Sequence, residues 1–254
     1  MRSLSRIILT VAMAISLVMP ATPARAKDLI VSAAASLTDA FGDIKTAFEA
    51  EHPGVNVVMN FAASGALFRQ MAQGAPVDVF ASADHKWMER AVDEGFVNRD
   101  AVAVFVRNDL VLAVPADNPA KITELGDLTG DRVGTIGLAT PVTSPAGQYT
   151  RTALSEAGLY HALAPKLIFG ETVRQILDYI ARDEVDCGFV FRTDAVKAGK
   201  AVLVVQEIAL EEPITYPIAA VSESRDPAMA QAFVAFVTSS AGAALLEAHG
   251  FARP

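Results

Sequence analysis

The feature that most constrains the fold is a repeated alternation of β-type and helical segments. DLIVSAA, VNVVMNF and VDVFASA are rich in β-branched and aliphatic residues, and a helical pattern follows each, with Phe41, Ile44 and Phe48 forming the first apolar face. RVGTIGLA, APKLIFG, DCGFVF and AVLVVQEI continue the series, and short glycine and proline turns separate the segments. This order predicts an α/β protein built on mainly parallel sheets flanked by helices.

Two apolar extended runs, about a hundred residues apart, interrupt this order. They are FVRNDLVLAVPADNP and ITYPIAAVSESRDP, and Asp226 followed by Pro227 then predicts the start of another helix. A chain that crosses to a second lobe and returns gives this order, with residues 27–108 and 217–254 in lobe 1 and residues 109–216 in lobe 2. Periodicity alone fits one continuous doubly wound sheet equally well.

The N-terminal residues have the composition of an export signal. Arg2 and Arg6 precede an apolar run from Ile7 to Met19, and the small residues of ARA end at Ala26. We expect residues 1–26 to be a cleaved signal peptide, which directs the protein to the periplasm. The single cysteine, Cys187, excludes an internal disulfide, so stability has to come from the core, and its setting in VDCGFVF predicts a buried strand.

The charge balance argues against a nucleic-acid partner. The first 26 residues hold three of the 21 Lys and Arg and none of the 29 Asp and Glu, so 18 basic and 29 acidic residues remain, a net charge of −11. Nucleic-acid binding proteins need a basic surface to neutralise phosphates. A small anion in a closed cleft is still compatible with this charge, because surface charges are screened over roughly 8 Å at physiological salt.

Four junctions between a strand and a helix carry a hydroxyl side chain, at Ser36, Ser64, Ser144 and Thr172. Asp39 follows the first of these as in an acidic capping box, and glutamine follows Thr172 as in a full one. Each junction alone is explained by helix capping. Alanine and glycine crowd the same places in AAAS, AASGA and SPAG, and they leave first-turn N–H groups accessible to an oxyanion.

The search for enzyme motifs is negative. The chain has no G-x-S-x-G elbow, no G-x-x-x-x-G-K phosphate loop and no G-x-G-x-x-G. Its four histidines, at positions 52, 85, 161 and 249, have no metal-ligand spacing. We therefore expect a binding protein without a cofactor. An exported α/β hydrolase with catalytic serines is the less favoured alternative.

Seven segments occur together in a known order. AAASLTDAF, NFAASGALFRQ, GAPVDVFASAD, KWMERAV, TSPAG, ETVRQIL and GFVFRTDA resemble the periplasmic molybdate-binding proteins of ABC transporters, from about Asp28 to the C-terminus. The resemblance implies the type II periplasmic-binding-protein fold, which has two α/β lobes and a ligand cleft between them. It also implies a monomer whose partner is the membrane permease of an ABC transporter.

The resemblance also implies a set of ligand contacts. Ser36 and Ser64 are expected to offer a hydroxyl and a backbone N–H from the first lobe, and Ala146 and Val173 a backbone N–H from the second. The family often has a tyrosine that donates to the ligand in the segment matching GFVF, whereas this chain has Phe191. The site is therefore one donor short unless another group replaces it.

The expected ligand is a fully deprotonated oxyanion. A site built only of hydrogen-bond donors suits molybdate, tungstate or sulfate, whereas phosphate near neutral pH keeps a proton that needs an acceptor. The resemblance implies molybdate, with tungstate as a second ligand, and molybdenum is then bound only as the oxyanion. Sulfate or another tetrahedral oxyanion is the alternative.

Overall fold

The computed structural model describes residues 27–254, which form two five-stranded sheets flanked by helices. The predicted signal peptide, residues 1–26, lies outside the described residues. The strands in chain order are β1 (Lys27–Ala34), β2 (Val55–Ala62), β3 (Val79–Ala81), β4 (Ala103–Asn108), β5 (Leu110–Pro115), β6 (Ile136–Ala139), β7 (Leu167–Gly170), β8 (Cys187–Phe191), β9 (Val202–Ile208) and β10 (Ile214–Ala220).

Each sheet has one reversed strand. The first sheet has the order β2-β1-β3-β10-β4 and the second has the order β7-β6-β8-β5-β9. Strand β10 is antiparallel to both of its neighbours, and so is β5, whereas the other pairs are parallel. Four of five strands in each sheet therefore run the same way, although half of the pairings are antiparallel.

The reversed strands are the two that follow a crossing. Strand β4 pairs in the first sheet and β5 in the second, and β9 pairs in the second sheet and β10 in the first. The predicted two-lobed α/β fold is confirmed, and the alternative of one continuous sheet is wrong. The lobe division at 108/109 and 216/217 stays a prediction. Strand β10 already pairs with the first sheet from Ile214.

The helices in chain order are α1 (Thr38–Glu51), α2 (Ser64–Ala72), α3 (His85–Asp93), α4 (Pro145–Glu156), α5 (Tyr160–Leu163), α6 (Val173–Ala181), α7 (Arg192–Ala198), α8 (Pro227–Thr238) and α9 (Ser240–Ala248). We use "first lobe" for the first sheet with α1, α2, α3, α8 and α9, and "second lobe" for the second sheet with α4 to α7. The predicted helix start at Asp226 is confirmed, since its side chain accepts from Met229 N.

Aromatic packing joins helices α1 and α8 of the first lobe. Phe48 of α1 contacts Phe233 and Phe236 of α8, with ring centroids 5.1 and 5.7 Å apart. Burying a phenylalanine side chain contributes about 1.5–3 kcal/mol to stability. In the second lobe, the predicted buried strand around Cys187 is confirmed as β8, and burial raises the pKa of the Cys187 thiol to about 12.

Within residues 27–254, no single helix is long and apolar enough to cross a membrane. Helices α8 and α9 together have the length and composition, but they meet at an angle of 60° and bury Phe233, Val237 and Leu246 in the core of the first lobe.

Candidate functional site

A small cavity lies between the lobes, where strand ends and helix starts meet. Strands β1, β2 and β8 end at it, and helices α2, α4 and α6 begin there, as expected for carboxyl ends of parallel strands. The cavity volume is about 10 Å³. The lining residues are Ala34, Ala35, Ser36, Ala62, Ala63, Ser64, Ala83, Ser144, Pro145, Val173 and Phe191.

Three of the four predicted ligand residues line this cavity. Ser36 and Ser64 belong to the first lobe and Val173 to the second. Ala146 is not among the lining residues, but it directly follows Ser144 and Pro145, which are, in the first turn of α4. All four predicted residues are at most 4 % exposed, so the lobes are closed over the cavity.

The two serine hydroxyls of the first lobe do not cap helices. Ser36 lies in a short 3-10 turn before α1, which starts at Thr38 without a side-chain cap, so the predicted capping box with Asp39 is wrong. The Ser36 hydroxyl instead lies 3.0 Å from the Tyr216 hydroxyl. The Ser64 hydroxyl accepts from Ala83 N at 3.0 Å. The Ser64 hydroxyl therefore keeps its hydrogen for another acceptor, whereas the Ser36–Tyr216 distance alone is compatible with either hydroxyl as the donor.

The helix starts of the second lobe offer main-chain donors. Pro145 at the first position of α4 has no N–H, so Ala146 is the first residue of the helix that carries one. The side chain of Ser144 makes no capping hydrogen bond there. At α6 the capping prediction is half right. Thr172 accepts from Gln175 N, but the Gln175 side chain accepts from Glu171 N and not from Thr172 N.

The glycines beside the cavity serve close packing, which the sequence interpretation did not anticipate. A Cβ on Gly65 would lie 2.4 Å from the Trp87 ring and 2.8 Å from Thr143 O in the second lobe. The Gly65 N–H donates across the cleft to that same carbonyl at 2.9 Å. A Cβ on Gly147 would lie 1.9 Å from Ala139 O. Gly65 therefore permits closure, and Gly147 lets α4 approach the end of β6.

The cavity wall is electrically neutral. None of its eleven lining residues in the described chain has a titratable side chain, so no general base faces Ser36 or Ser64. Also within residues 27–254, no group of three or more His, Cys, Asp or Glu side chains is arranged to hold a metal ion. What the wall offers an occupant is serine hydroxyls, first-turn N–H groups and the positive ends of helix dipoles.

Charged residues join the lobes just outside the cavity. Arg174, next to Val173, lies 2.6 Å from Asp39 of the first lobe and 2.6 Å from Asp194 at the start of α7. Lys197 also pairs with Asp39, at 2.7 Å. Burial would raise the pKa of Asp39, but Lys197 and Arg174 outweigh it and lower that pKa. Burial raises the pKa of Asp194 to about 6, against the opposing effect of Arg174.

Tyr216 and Asn108 contact the cavity wall through Ser36, and the sequence interpretation identified neither of them. Tyr216 is fully buried, with its ring 5.8 Å from that of Phe191 and its hydroxyl beside Ser36. Asn108 Nδ2 donates to the Tyr216 hydroxyl at 3.2 Å. Because they lie 72 or more residues along the chain from Ser36, no local pattern brings these residues together.

Comparison with known proteins agrees with this geometry. A family model described as bacterial extracellular solute-binding protein matches residues 29–252. The molybdate-binding protein ModA of Escherichia coli is 36 % identical over 229 residues, which cover 88 % of this chain and 88 % of that protein.

Two solved structures share the fold. The substrate-binding domain of a putative molybdenum ABC transporter from Clostridium difficile is 33 % identical, covers 89 % of this chain and 99 % of its own, and superposes with a TM-score of 0.67. The sulfate-binding protein SubI of Mycobacterium tuberculosis has a TM-score of 0.75 at 21 % identity, over 88 % of this chain and 86 % of its own, which shows the fold alone. The expectation of a binding protein and not an enzyme is confirmed, and the chain belongs to the bacterial extracellular solute-binding protein family.

Proposed function

We propose that this protein captures molybdate, and tungstate with it, and delivers the anion to the membrane permease of an ABC transporter. The observation that carries the proposal is the buried interlobe cavity, whose wall presents helix starts and serine hydroxyls and no titratable side chain. The Escherichia coli relative is a molybdate-binding protein with 36 % sequence identity to this chain, which supports molybdate as the anion.

The proposed ligand contacts are the hydroxyl and N–H groups of Ser36 and Ser64 and the N–H groups of Ala146 and Val173. Ser64 and Val173 each occupy the first position of a helix, and Ala146 the second, where N–H groups have no partner within the helix. Such N–H groups bind anions through hydrogen bonds and the helix dipole together. Burying a dianion is costly unless every oxygen is hydrogen-bonded, which explains why several helices converge here.

A wall of donors selects among tetrahedral anions by protonation state. Molybdate, tungstate and sulfate only accept hydrogen bonds near neutral pH, whereas phosphate keeps one proton that needs an acceptor. Sulfate is the second candidate because it shares the same chemistry. Anion size then separates sulfate from molybdate and tungstate, since the latter two are larger than sulfate and nearly equal to each other.

Family and fold support the proposed transport role. Closure of two lobes around a solute, with hinge motion where the chain crosses between them, fits a protein that binds, carries and releases. We propose that the protein acts as a monomer in the periplasm after removal of residues 1–26.

The direct test is calorimetric titration of residues 27–254 with molybdate, tungstate, sulfate and phosphate. We expect one-to-one binding of the first two, stronger than that of sulfate, and no heat with phosphate. The Ser36→Ala/Ser64→Ala double variant is expected to lose at least a hundredfold in molybdate affinity, since two hydrogen bonds to a charged acceptor are removed.

The matched control is the Ser155→Ala/Ser222→Ala double variant, because both serines are exposed and lie outside the cavity. It should bind molybdate like the unmodified chain. Heat with sulfate alone would replace the proposed ligand but keep the anion site. Unchanged molybdate affinity in the Ser36/Ser64 variant would refute the site.

A further inference from the structure

We propose that Asn108 and Tyr216 form a hydrogen-bond relay that fixes Ser36 as a donor and thereby makes the site selective for oxyanions without a proton. The inference rests on the proposed function. It assigns positioning roles to two residues that do not line the cavity.

The relay begins at Asn108, and two nearby backbone N–H groups determine the orientation of its side-chain amide. Its Oδ1 accepts from Asp109 N at 3.0 Å and lies 3.5 Å from Thr193 N. Two N–H donors identify the acceptor end of the amide, so the Nδ2 end faces the Tyr216 hydroxyl at 3.2 Å and the Thr193 hydroxyl at 2.8 Å. Asn108 is 5 % exposed, and water has little access to it.

The Asn108 donor determines the direction of the hydrogen bond between Tyr216 and Ser36. Its oxygen accepts from Asn108, which has no hydrogen-bond acceptor on Nδ2, so the phenol hydrogen is left for the Ser36 oxygen at 3.0 Å. The phenol keeps that hydrogen at neutral pH, because burial raises the pKa of Tyr216 well above its ordinary value. The ring cannot turn away, since Phe105, Phe191 and Phe251 pack around it.

Ser36 is therefore an acceptor toward Tyr216 and a donor toward the cavity. Ser64 reaches the same state by another route, because the backbone N–H of Ala83 donates to its oxygen. Both hydroxyl hydrogens are thus available to an anion, and the hydroxyl oxygens already accept a bond. Two donors fixed in this way favour an anion that only accepts, and they give the proton of hydrogen phosphate a poor partner.

The test compares Tyr216→Phe with the unmodified chain in titrations with molybdate and hydrogen phosphate at pH 8, the weaker ligand being measured by displacement of molybdate. Phenylalanine keeps the ring and removes only the hydroxyl. Ser36 then gains freedom to rotate and to accept. We expect molybdate affinity to fall about tenfold, as for one net hydrogen bond. Phosphate affinity should rise, so that the ratio of molybdate affinity to phosphate affinity decreases more than tenfold.

A second variant keeps the test valid where Tyr216→Phe does not fold. Asn108→Asp keeps the shape and the Oδ1 acceptor but replaces the donor with an acceptor, which reverses the relay and turns the Ser36 hydrogen toward Tyr216. The added charge repels both dianions alike, so the affinity ratio reports the relay alone. This ratio should narrow as well. Tyr160→Phe is the matched control, because Tyr160 lies in α5 outside the cavity.

A purely structural role for Tyr216 predicts that affinity for both anions falls together. That result, or phosphate binding that stays undetected in both variants, would overturn the relay. Absence of oxyanion binding by the unmodified chain would overturn the proposed function and the relay with it. Strong molybdate binding by the unmodified chain with an unchanged ratio in both variants would overturn the relay alone.

Discussion

Arg174 Nη1 of the second lobe lies 2.6 Å from Asp39 of the first, and Arg174 Nη2 donates to Ser36 O at 3.3 Å. Arg174 immediately follows Val173, and Ser36 is one of the two first-lobe serines of the cavity. One side chain therefore ties the two halves of the proposed anion site together. Because the pair exists only when the lobes meet, it stabilises the closed form relative to the open one.

Asp39→Asn is expected to weaken molybdate binding about three- to tenfold without unfolding the protein. The carboxylate is only about one-fifth exposed, so the pair is less screened than a surface ion pair. Arg174 keeps Asp194, which limits the loss of stability. Calorimetry measures the affinity, and Asp43→Asn, on the exposed side of the same helix, is the matched control. Equal affinities in both variants would contradict a role in closure.

Asp194 is expected to make stability depend on pH between about 4 and 6. Burial raises its pKa from the ordinary 3.8 to about 6, so in this window the folded state binds more protons than the unfolded state. The free energy of unfolding therefore falls as the pH rises through it, by on the order of 1–3 kcal/mol. The Asp194→Asn variant should not show this decrease in the free energy of unfolding, because asparagine does not titrate.

The measurement is denaturant unfolding of both proteins at pH 4.5 and 7.5. Asp84, whose pKa burial also raises to about 6, is present in both proteins and cancels in the difference. The stability of Asp194→Asn relative to the unmodified chain should increase from the lower to the higher pH. A difference that does not change with pH would show that the Asp194 carboxyl titrates normally.

The alternation of segments was sufficient to predict the fold, because β-branched runs and helical apolar spacing are local signals. Three of the four predicted ligand residues line one cavity, since the carboxyl ends of strands from both sheets meet there. The crossing segments were visible as well, but half of the strand pairings proved antiparallel. Strand direction depends on which sheet the chain enters after a crossing, and periodicity does not encode this.

The capping errors have a different cause. Ser36 and Asp39 have the spacing of a cap, yet Ser36 bonds Tyr216 and Asp39 bonds Arg174 and Lys197. All three partners are more than 130 residues away along the chain, so no local rule finds them. The relay through Asn108 is hidden for the same reason. Long-range polar contacts are the part of this site that requires the structure.

Gly65→Ala is expected to prevent full closure. The new Cβ would lie 2.8 Å from Thr143 O across the cleft and 2.4 Å from the Trp87 ring of its own lobe, so the Trp87 side chain has to move and the lobes have to separate. We expect molybdate affinity to fall more than a hundredfold. Small-angle X-ray scattering should show a larger radius of gyration for the Gly65→Ala variant with molybdate than for the unmodified protein with molybdate.

Gly42→Ala is the matched control for this substitution. Gly42 lies within α1, and no atom lies within 4 Å of a Cβ placed there. Alanine in a helix interior stabilises by about 0.5–1 kcal/mol relative to glycine, and binding should not change. Full affinity in Gly65→Ala would mean that the cleft tolerates the methyl group and that Gly65 has no part in closure.

Phe191→Tyr is expected to strengthen molybdate binding by about tenfold, because the ring lines the cavity and the new hydroxyl adds one donor to a charged acceptor. The added donor should also recover most of the affinity that Tyr216→Phe loses, since both substitutions act on the same oxyanion. Calorimetry on the four combinations measures this coupling. Phe169→Tyr, half exposed on β7, is the matched control. Weaker binding in Phe191→Tyr would show that the cavity has no room for the hydroxyl and that Phe191 is required for packing against Tyr216.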